Sequence, residues 1–449
     1  MAEIVRENFS PQGGCTLNTQ ANRPKKRGLS RLKSTVLVLM ILLICGQLLY
    51  LFCVYSNIPF IKKWRNIYIN TAMTTYTHQW LATALLPKDM VDEVVAARQA
   101  ELDAQKGAET NWGDKPSNVI PSQISDGNNP TDSNVIITTE DDKPDSSPDK
   151  PLSAQQAFFQ RFDEIDQSSM LTYVNQNPAV LDDGWENINI NEAALYDDGT
   201  DIRTTAGDQV LAIDAKNGIL LIRVKDDGYR GVLAIVKDSS MVSIHASKGI
   251  GSYGSLCKDI AADAGALLAT NASAFYDPNG NGNGGTLVGY AVCEGEHYGY
   301  IAGRADPYNN WKRMELREDN LMYVVDSAQD VDPTTTDACE WNVALIVNGE
   351  KLVSGTWELH PRSAVGMSSN YEVMFLIIEG RQPLKGLLGT TATEVADILL
   401  RYDCAQAMLQ DGGSSAIMVY HGEPVTMCSN GYETGRALPN AWVVVPPEG

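Results

Sequence analysis

The rhythm of apolar and polar positions divides the chain before any single residue is weighed. Thr35 to Tyr55 (TVLVLMILLICGQLLYLFCVY) is uncharged, with Leu, Ile and Val on every face of the helix it predicts. At about 1.5 Å rise per residue such a run covers about 32 Å, enough to cross a hydrocarbon core. The run is longer than the apolar part of a signal peptide and has no small-x-small site after it, so residues 35–56 are expected to be an uncleaved anchor. Residues 57–106 then read as a juxtamembrane helical stalk, with Met90, Val91, Val94 and Val95 at helical spacing after Pro87. Residues 107–152 are rich in Asp, Ser, Asn and Pro and poor in large apolar residues, which predicts a disordered linker. A helical lead-in with Phe158, Phe159 and Phe162 occupies 153–180, and the catalytic-looking domain is expected over 181–449.

In that last region β patterning dominates. Strands are predicted at Gln209 to Asp214 and Ile219 to Lys225, joined by Lys216-Asn217-Gly218, an Asn-Gly hairpin signal. Further strands are expected at Gly231 to Lys237, Met241 to His245, Val343 to Val347, Val373 to Ile378, Ala416 to Tyr420 and Ala441 to Val445. Helices are expected near Leu256 to Ala264 and Glu394 to Tyr402. Strands without regular helical alternation predict an α+β fold with a mixed, largely antiparallel sheet, tethered by one N-terminal transmembrane helix.

Charge adds orientation. The basic residues Arg23, Lys25, Lys26, Arg27, Arg31 and Lys33 precede the apolar run, which places the 1–34 tail in the cytoplasm and the rest outside the cell membrane. The chain's net charge of −21 is therefore carried almost entirely by the part outside, since the tail is basic, and such a surface repels nucleic acid and anionic lipid. An apolar fraction of 43% rules out wholesale disorder. Of the cysteines, Cys257, Cys293, Cys339, Cys404 and Cys428 lie outside; an odd set allows at most two disulfides, with no pairing assignable. No CxxC pair or His/Cys cluster suggests structural zinc.

The chemistry-bearing residues collect at expected strand ends. Asp411-Gly412-Gly413-Ser414-Ser415 follows the apolar Ala407-Met408-Leu409, and two glycines there allow backbone N–H groups to face an anion beside Asp411. A tight Asp-Gly turn is the plainer reading. His360-Pro361-Arg362-Ser363 and Glu379-Gly380-Arg381-Gln382 put two arginines in an acidic chain, suited to a phosphodiester clamp or to structural ion pairs. His360 is either an acid-base group or a surface histidine. Asp277, Asn279 and Asn281 with Gly282 open like a calcium loop, but position twelve would be Val288, which supplies no carboxylate; calcium is thus a weak expectation and no cofactor is required. A glycine-rich loop beside the site, with Asn271 as a substrate contact, is the alternative. Thr391-x-x-Glu394 is a capping-box pattern that accounts for Glu394 without catalysis. Asn430-Gly431, Arg436 and Asn440 precede the final strand.

Taken together and in order, these motifs from about Gly249 to Val445 resemble the phosphodiester glycosidase family. Asn271 with Phe275 and Asp277, Pro361 to Gly366, Glu379 to Gln382, Glu394 with Ala396, Asp411 to Ser415, and Arg436 with Asn440 carry the likeness. The family usually has Asp where Glu379 stands, Gly where Ser414 stands, and Glu where Gly435 stands. The single anchor and stalk are similar to those of bacterial envelope members. The resemblance implies hydrolysis of a sugar 1-phosphodiester at the anomeric carbon, on envelope or exopolysaccharide glycans. It also implies catalytic candidates Asp411, Glu394 and Glu379. Asn271, Arg362, Arg381, Gly412, Gly413, Ser414, Arg436 and Asn440 are then the expected substrate contacts, with Arg362 and Arg381 as the phosphate clamp. Two other classes stay open: a non-catalytic binding or assembly protein for phosphate-linked polysaccharide, and a metal-dependent phosphodiesterase.

Overall fold

The computed structural model describes residues 27–74, 78–113, 152–196, 199–299, 311–355 and 357–447. The chain divides into Met1–Lys62 and Lys63–Gly449. In the first part, helix α1 (Arg27–Tyr55) contains an exposed apolar stretch, Lys33–Tyr55, long and apolar enough to cross a membrane.

The second part is a mixed α+β fold of antiparallel sheets. Its main sheet has nine strands, and the central ones, Ile219–Asp226, Tyr229–Val236, Val373–Glu379 and Arg362–Ser368, pair in succession. Both faces of this sheet are covered, which is why these strands are apolar runs and not alternating patterns. Leu221, Val232, Ala234, Val373, Phe375 and Ile377 point to one core, where they meet residues of the two five-stranded sheets. Leu220, Leu233, Ile235, Met374 and Leu376 point to the other, under Phe158 and Phe162 next to Met170 and under Val395 and Leu399. Those covering residues lie on or beside α5 (Ala154–Arg161), α6 (Gln167–Gln176) and α8 (Ala392–Leu400). The phenylalanines expected in a lead-in are therefore core residues of the domain itself. α7 (Cys257–Ala264) packs Cys257, Ile260 and Ala261 on the sheet containing Leu268–Asn271, Met418–Tyr420 and Asn440–Val444.

Two expectations about the N-terminal half are corrected. The segment after Lys63 is not a free stalk: α2 (Pro59–Met73), α3 (Gln79–Leu85) and α4 (Lys88–Ala104) share a small core of Ile69, Ala72, Ala82, Val91 and Val94. α4 is tied to the domain by Arg98 to Glu358 at 3.1 Å, by Glu101 to Ser354, and by Gln105 Oε1, which accepts the Ala344 N–H. Nor does the linker begin at residue 107. Thr110 exchanges hydrogen bonds with Val324 on the edge strand Met322–Asp326, and Trp112 is buried with its indole N–H on Met322 O. An edge strand needs such a cover, since its unpaired backbone would otherwise invite another chain. The remainder of the expected linker, 114–151, lies outside the described residues, as does the 1–26 part of the tail. Of the at most two disulfides that five outer cysteines allow, none forms: Cys257, Cys293, Cys339, Cys404 and Cys428 are buried free thiols, and burial pushes Cys257 up to about 12.

Candidate active site

The loop Asp411–Ser415 leaves the end of strand Cys404–Leu409 and is stitched to Asn271 and Pro361. Asn271 Nδ2 donates to Asp411 O at 2.6 Å, and Asn271 Oδ1 accepts the Ile417 N–H. Gly413 N–H donates to Pro361 O at 2.9 Å. Both glycines are dictated by space: a Cβ on Gly412 would lie 2.7 Å from Pro361 O, and Gly413 has φ +62°. Because Gly413 gives its N–H to Pro361, the expected pair of backbone anion donors is reduced to Gly412. Asn271 thus shapes the loop from a fully buried position.

Around this loop gather the charges. Asp411 accepts a hydrogen bond from Ser415; burial pushes its carboxyl up to about 6, against the lowering effects of Ser415 and Arg436. Arg381 holds a left-handed backbone conformation, φ 57°, unusual for a side-chain-bearing residue and common where function fixes geometry. Its guanidinium lies over Gly413, with Nη1 3.0 Å from where a Cβ would stand, and its Nη2 is 3.0 Å from His360 Nδ1. Arg436 Nη1 donates to Asp277 at 2.7 Å and to Ser414 Oγ at 3.0 Å, Nη2 donates to Gly282 O, and the guanidinium stacks 4.5 Å from the Phe275 ring centre. Arg436 therefore fastens the glycine-rich loop to the Asp411 loop. At the departure Gly435, φ is +76°, so a glutamate there would be strained.

Asp277 has both carboxylate oxygens engaged, one by Arg436 and one by the Gly282 N–H at 2.6 Å. A guanidinium already fills the position of a balancing cation, so this donor set does not fit the expected calcium loop. Asn281 is exposed, and the Asn279 side chain lies outside the described residues.

The other expected site residues are absorbed by structure. Arg362 is buried, with Nε on Thr390 O and Nη2 on Glu358 O at 2.6 Å, so its guanidinium is not turned toward a substrate. Glu379 is buried; it accepts Arg230 Nη2 at 2.7 Å and the Met427 N–H. Glu394 forms the capping box of α8, accepting the Thr391 N–H at 2.8 Å. Asn440 exchanges two hydrogen bonds with Ser273 at 3.0 Å and fixes the strand end beside Asn271. What remains facing one site is Asp411, Gly412, Ser414, Arg381 and Arg436, with exposed Tyr276 at the edge. Ser415 and Phe275 were named in the sequence motifs without a role, and the ring contacts of His360 were not foreseen; only the fold shows what each touches. A separate hollow of about 490 Å³ is lined by Arg161, Asn217 and Asp238 and by none of these residues.

Residues 264–445 match the family model described as phosphodiester glycosidase. No match to a curated protein was found. Similar solved structures include the zebrafish N-acetylglucosamine-1-phosphodiester alpha-N-acetylglucosaminidase catalytic domain auto-inhibited by its pro-peptide. It is 17% identical over 51% of this chain and 82% of its own, with a TM-score of 0.41. A hypothetical protein from Synechocystis is 13% identical over 54% of this chain and 65% of its own, with a TM-score of 0.38.

Proposed function

We propose that the protein, whose residues 264–445 match the phosphodiester glycosidase family model, is an enzyme that hydrolyses a sugar 1-phosphodiester at the anomeric carbon–oxygen bond. The observation that carries this reading is Asp411, on a glycine loop, facing the space that the Arg381 guanidinium overlooks. Water adds to the anomeric carbon, the bond from that carbon to the bridging oxygen breaks, and the phosphomonoester leaves with the bridging electron pair. Asp411 takes the water proton and faces the positive charge that builds on the ring. A phosphomonoester is a good leaving group, so a second carboxyl acid is not needed, which agrees with Glu379 and Glu394 being engaged elsewhere. Arg381 donates to the phosphate oxygens, and a guanidinium fits two of them at once. Ser414 Oγ, oriented by Arg436, and exposed Tyr276 border the sugar.

Basic residues before an exposed apolar helix support an anchor with its catalytic domain outside the membrane, where phosphate-linked envelope glycans are the substrate class. The test is release of free sugar and phosphomonoester from an N-acetylglucosamine 1-phosphodiester by the full chain in detergent. Asp411→Asn should lower kcat by about a thousandfold or more while the protein stays folded. Near-normal turnover by that variant would remove Asp411 from the mechanism.

A further inference from the structure

His360 is held so that only its ring has work left to do. Its backbone exchanges hydrogen bonds with Thr390 in both directions, at 3.2 and 3.0 Å, and Gly389 packs against its carbonyl. The residue is 9% exposed, and its ring has two polar neighbours: Nδ1 is 3.0 Å from Arg381 Nη2, and Nε2 is 3.0 Å from Thr74 Oγ1, just past the end of α2. A guanidinium can only donate, so Nδ1 must be the acceptor and the ring proton must sit on Nε2. Nε2–H then donates to Thr74 Oγ1, whose own proton is directed to Asn70 O at 2.8 Å. Arg381, His360, Thr74 and Asn70 thus form a chain in which each donor finds an acceptor and the direction is fixed by its arginine end. A doubly protonated ring would set an N–H against a guanidinium N–H. Burial and the neighbouring Arg362 and Arg381 hold the ring neutral, pulled down to about 3, with Glu358 only partly opposing. α2 grips the same segment once more, since the Leu359 N–H donates to Thr71 Oγ1 at 3.1 Å.

This matters because Arg381 is exposed and carries a long, freely rotating side chain. His360 takes one of the two N–H bonds of Nη2 and orients the fork, leaving the guanidinium edge that carries the other Nη2–H for a pair of phosphate oxygens. We propose that His360 is a positioning residue for Arg381, and that α2, through Thr74, is a working part of the active site and not only a spacer. This rests on the reading of Arg381 as the phosphate-binding group.

The test uses the full chain and inorganic phosphate as a competitive inhibitor, together with KM and kcat for the phosphodiester. Arg381→Ala is the reference and should weaken phosphate inhibition most. His360→Ala should weaken it about tenfold and raise KM more than it lowers kcat. His360→Asn puts an amide oxygen where Nδ1 stood and should return phosphate inhibition to within about threefold of wild type. His360→Gln reaches the Nε2 position, keeps the Thr74 contact, and should behave like alanine. Thr74→Val should show a smaller effect, about threefold. Thermal melts confirm that each variant is folded. If Arg381→Ala weakens phosphate inhibition while the alanine and asparagine variants of His360 match each other, the positioning role is overturned. If Arg381→Ala leaves phosphate inhibition unchanged, the reading of Arg381 fails and the proposal with it.

Discussion

Two clusters of arginines around a carboxylate lie on either side of His360-Pro361, and they do opposite things. In the first, Glu358 sits between Arg98, at 3.1 Å, and Arg362, at 3.5 Å; although burial alone would raise it, the two guanidinium groups hold it down at about 2. Arg362 Nε and Nη2 also donate to the main-chain carbonyls of Thr390 and Glu358. Every charge is answered, and the cluster locks α4 to the strand Arg362–Ser368. In the second, Asp411 forms no ion pair among the described residues, and burial pushes it up to about 6. Arg381 overlooks it from an uncommon backbone conformation, with one donor tied to His360. Sequence composition makes the two clusters look alike. Saturation separates them: a cluster whose charges are already matched builds the fold, and one held short of matching has a place for a charged substrate.

Breaking the saturated cluster should have the largest effect on stability and the smallest on chemistry. Glu358→Gln leaves buried Arg362 and Arg98 without a counter-charge and should cost about 3–5 kcal/mol, read from thermal or urea melts. Below its melting range that variant should keep most of its kcat. Because Glu358 lies below its unfolded value of about 4.3, its contribution is complete above that pH and is lost as pH falls toward 2.

The unsaturated cluster should show itself in the pH profile. If Asp411 acts ionised, kcat/KM rises about tenfold per pH unit below pH 6 and flattens above it. The stability sign runs the other way. A folded value near 6 against about 3.9 unfolded means that the folded state prefers the protonated form, so this group's contribution falls as pH rises from about 4 to 6. Asp411→Asn should therefore melt no lower than wild type above pH 6, while losing its turnover.

Smaller effects sharpen the contrast. Arg381→Lys exchanges a planar fork for a point charge and should raise KM about tenfold, measured by steady-state kinetics, with little change in melting temperature. Glu394→Ala should remove a helix cap worth about 1 kcal/mol and leave kcat unchanged. A large fall in kcat there would return Glu394 to the catalytic set.

Much of the fold was legible where hydrophobicity alone decides it. The strands Gln209–Asp214 and Ile219–Asp226, the Asn217-Gly218 turn and α8 follow from apolar runs and a capping box. The five-stranded sheet containing Lys312–Arg317 and Thr335–Trp341 was not foreseen, and its inward-facing charges explain why. Arg313, Glu315 and Glu340 are all buried, with Arg313 and Glu315 paired at 2.8 Å, so polar letters there do not mean solvent. The docking of Trp112 and Arg98 left no local signal either, since each depends on a partner more than two hundred residues away. At the site, Asp411 with its two glycines was readable because the backbone demands them. The separate fates of Arg362 and Arg381 were not, because only the fold decides which guanidinium is enclosed.

The most direct test of the central claim is hydrolysis of an N-acetylglucosamine 1-phosphodiester by the full chain in oxygen-18 water, followed by mass analysis of both products. Label on the anomeric oxygen of the released sugar, with none in the phosphomonoester, is the predicted result. Label in the phosphomonoester would mean that water attacks phosphorus and would contradict the account.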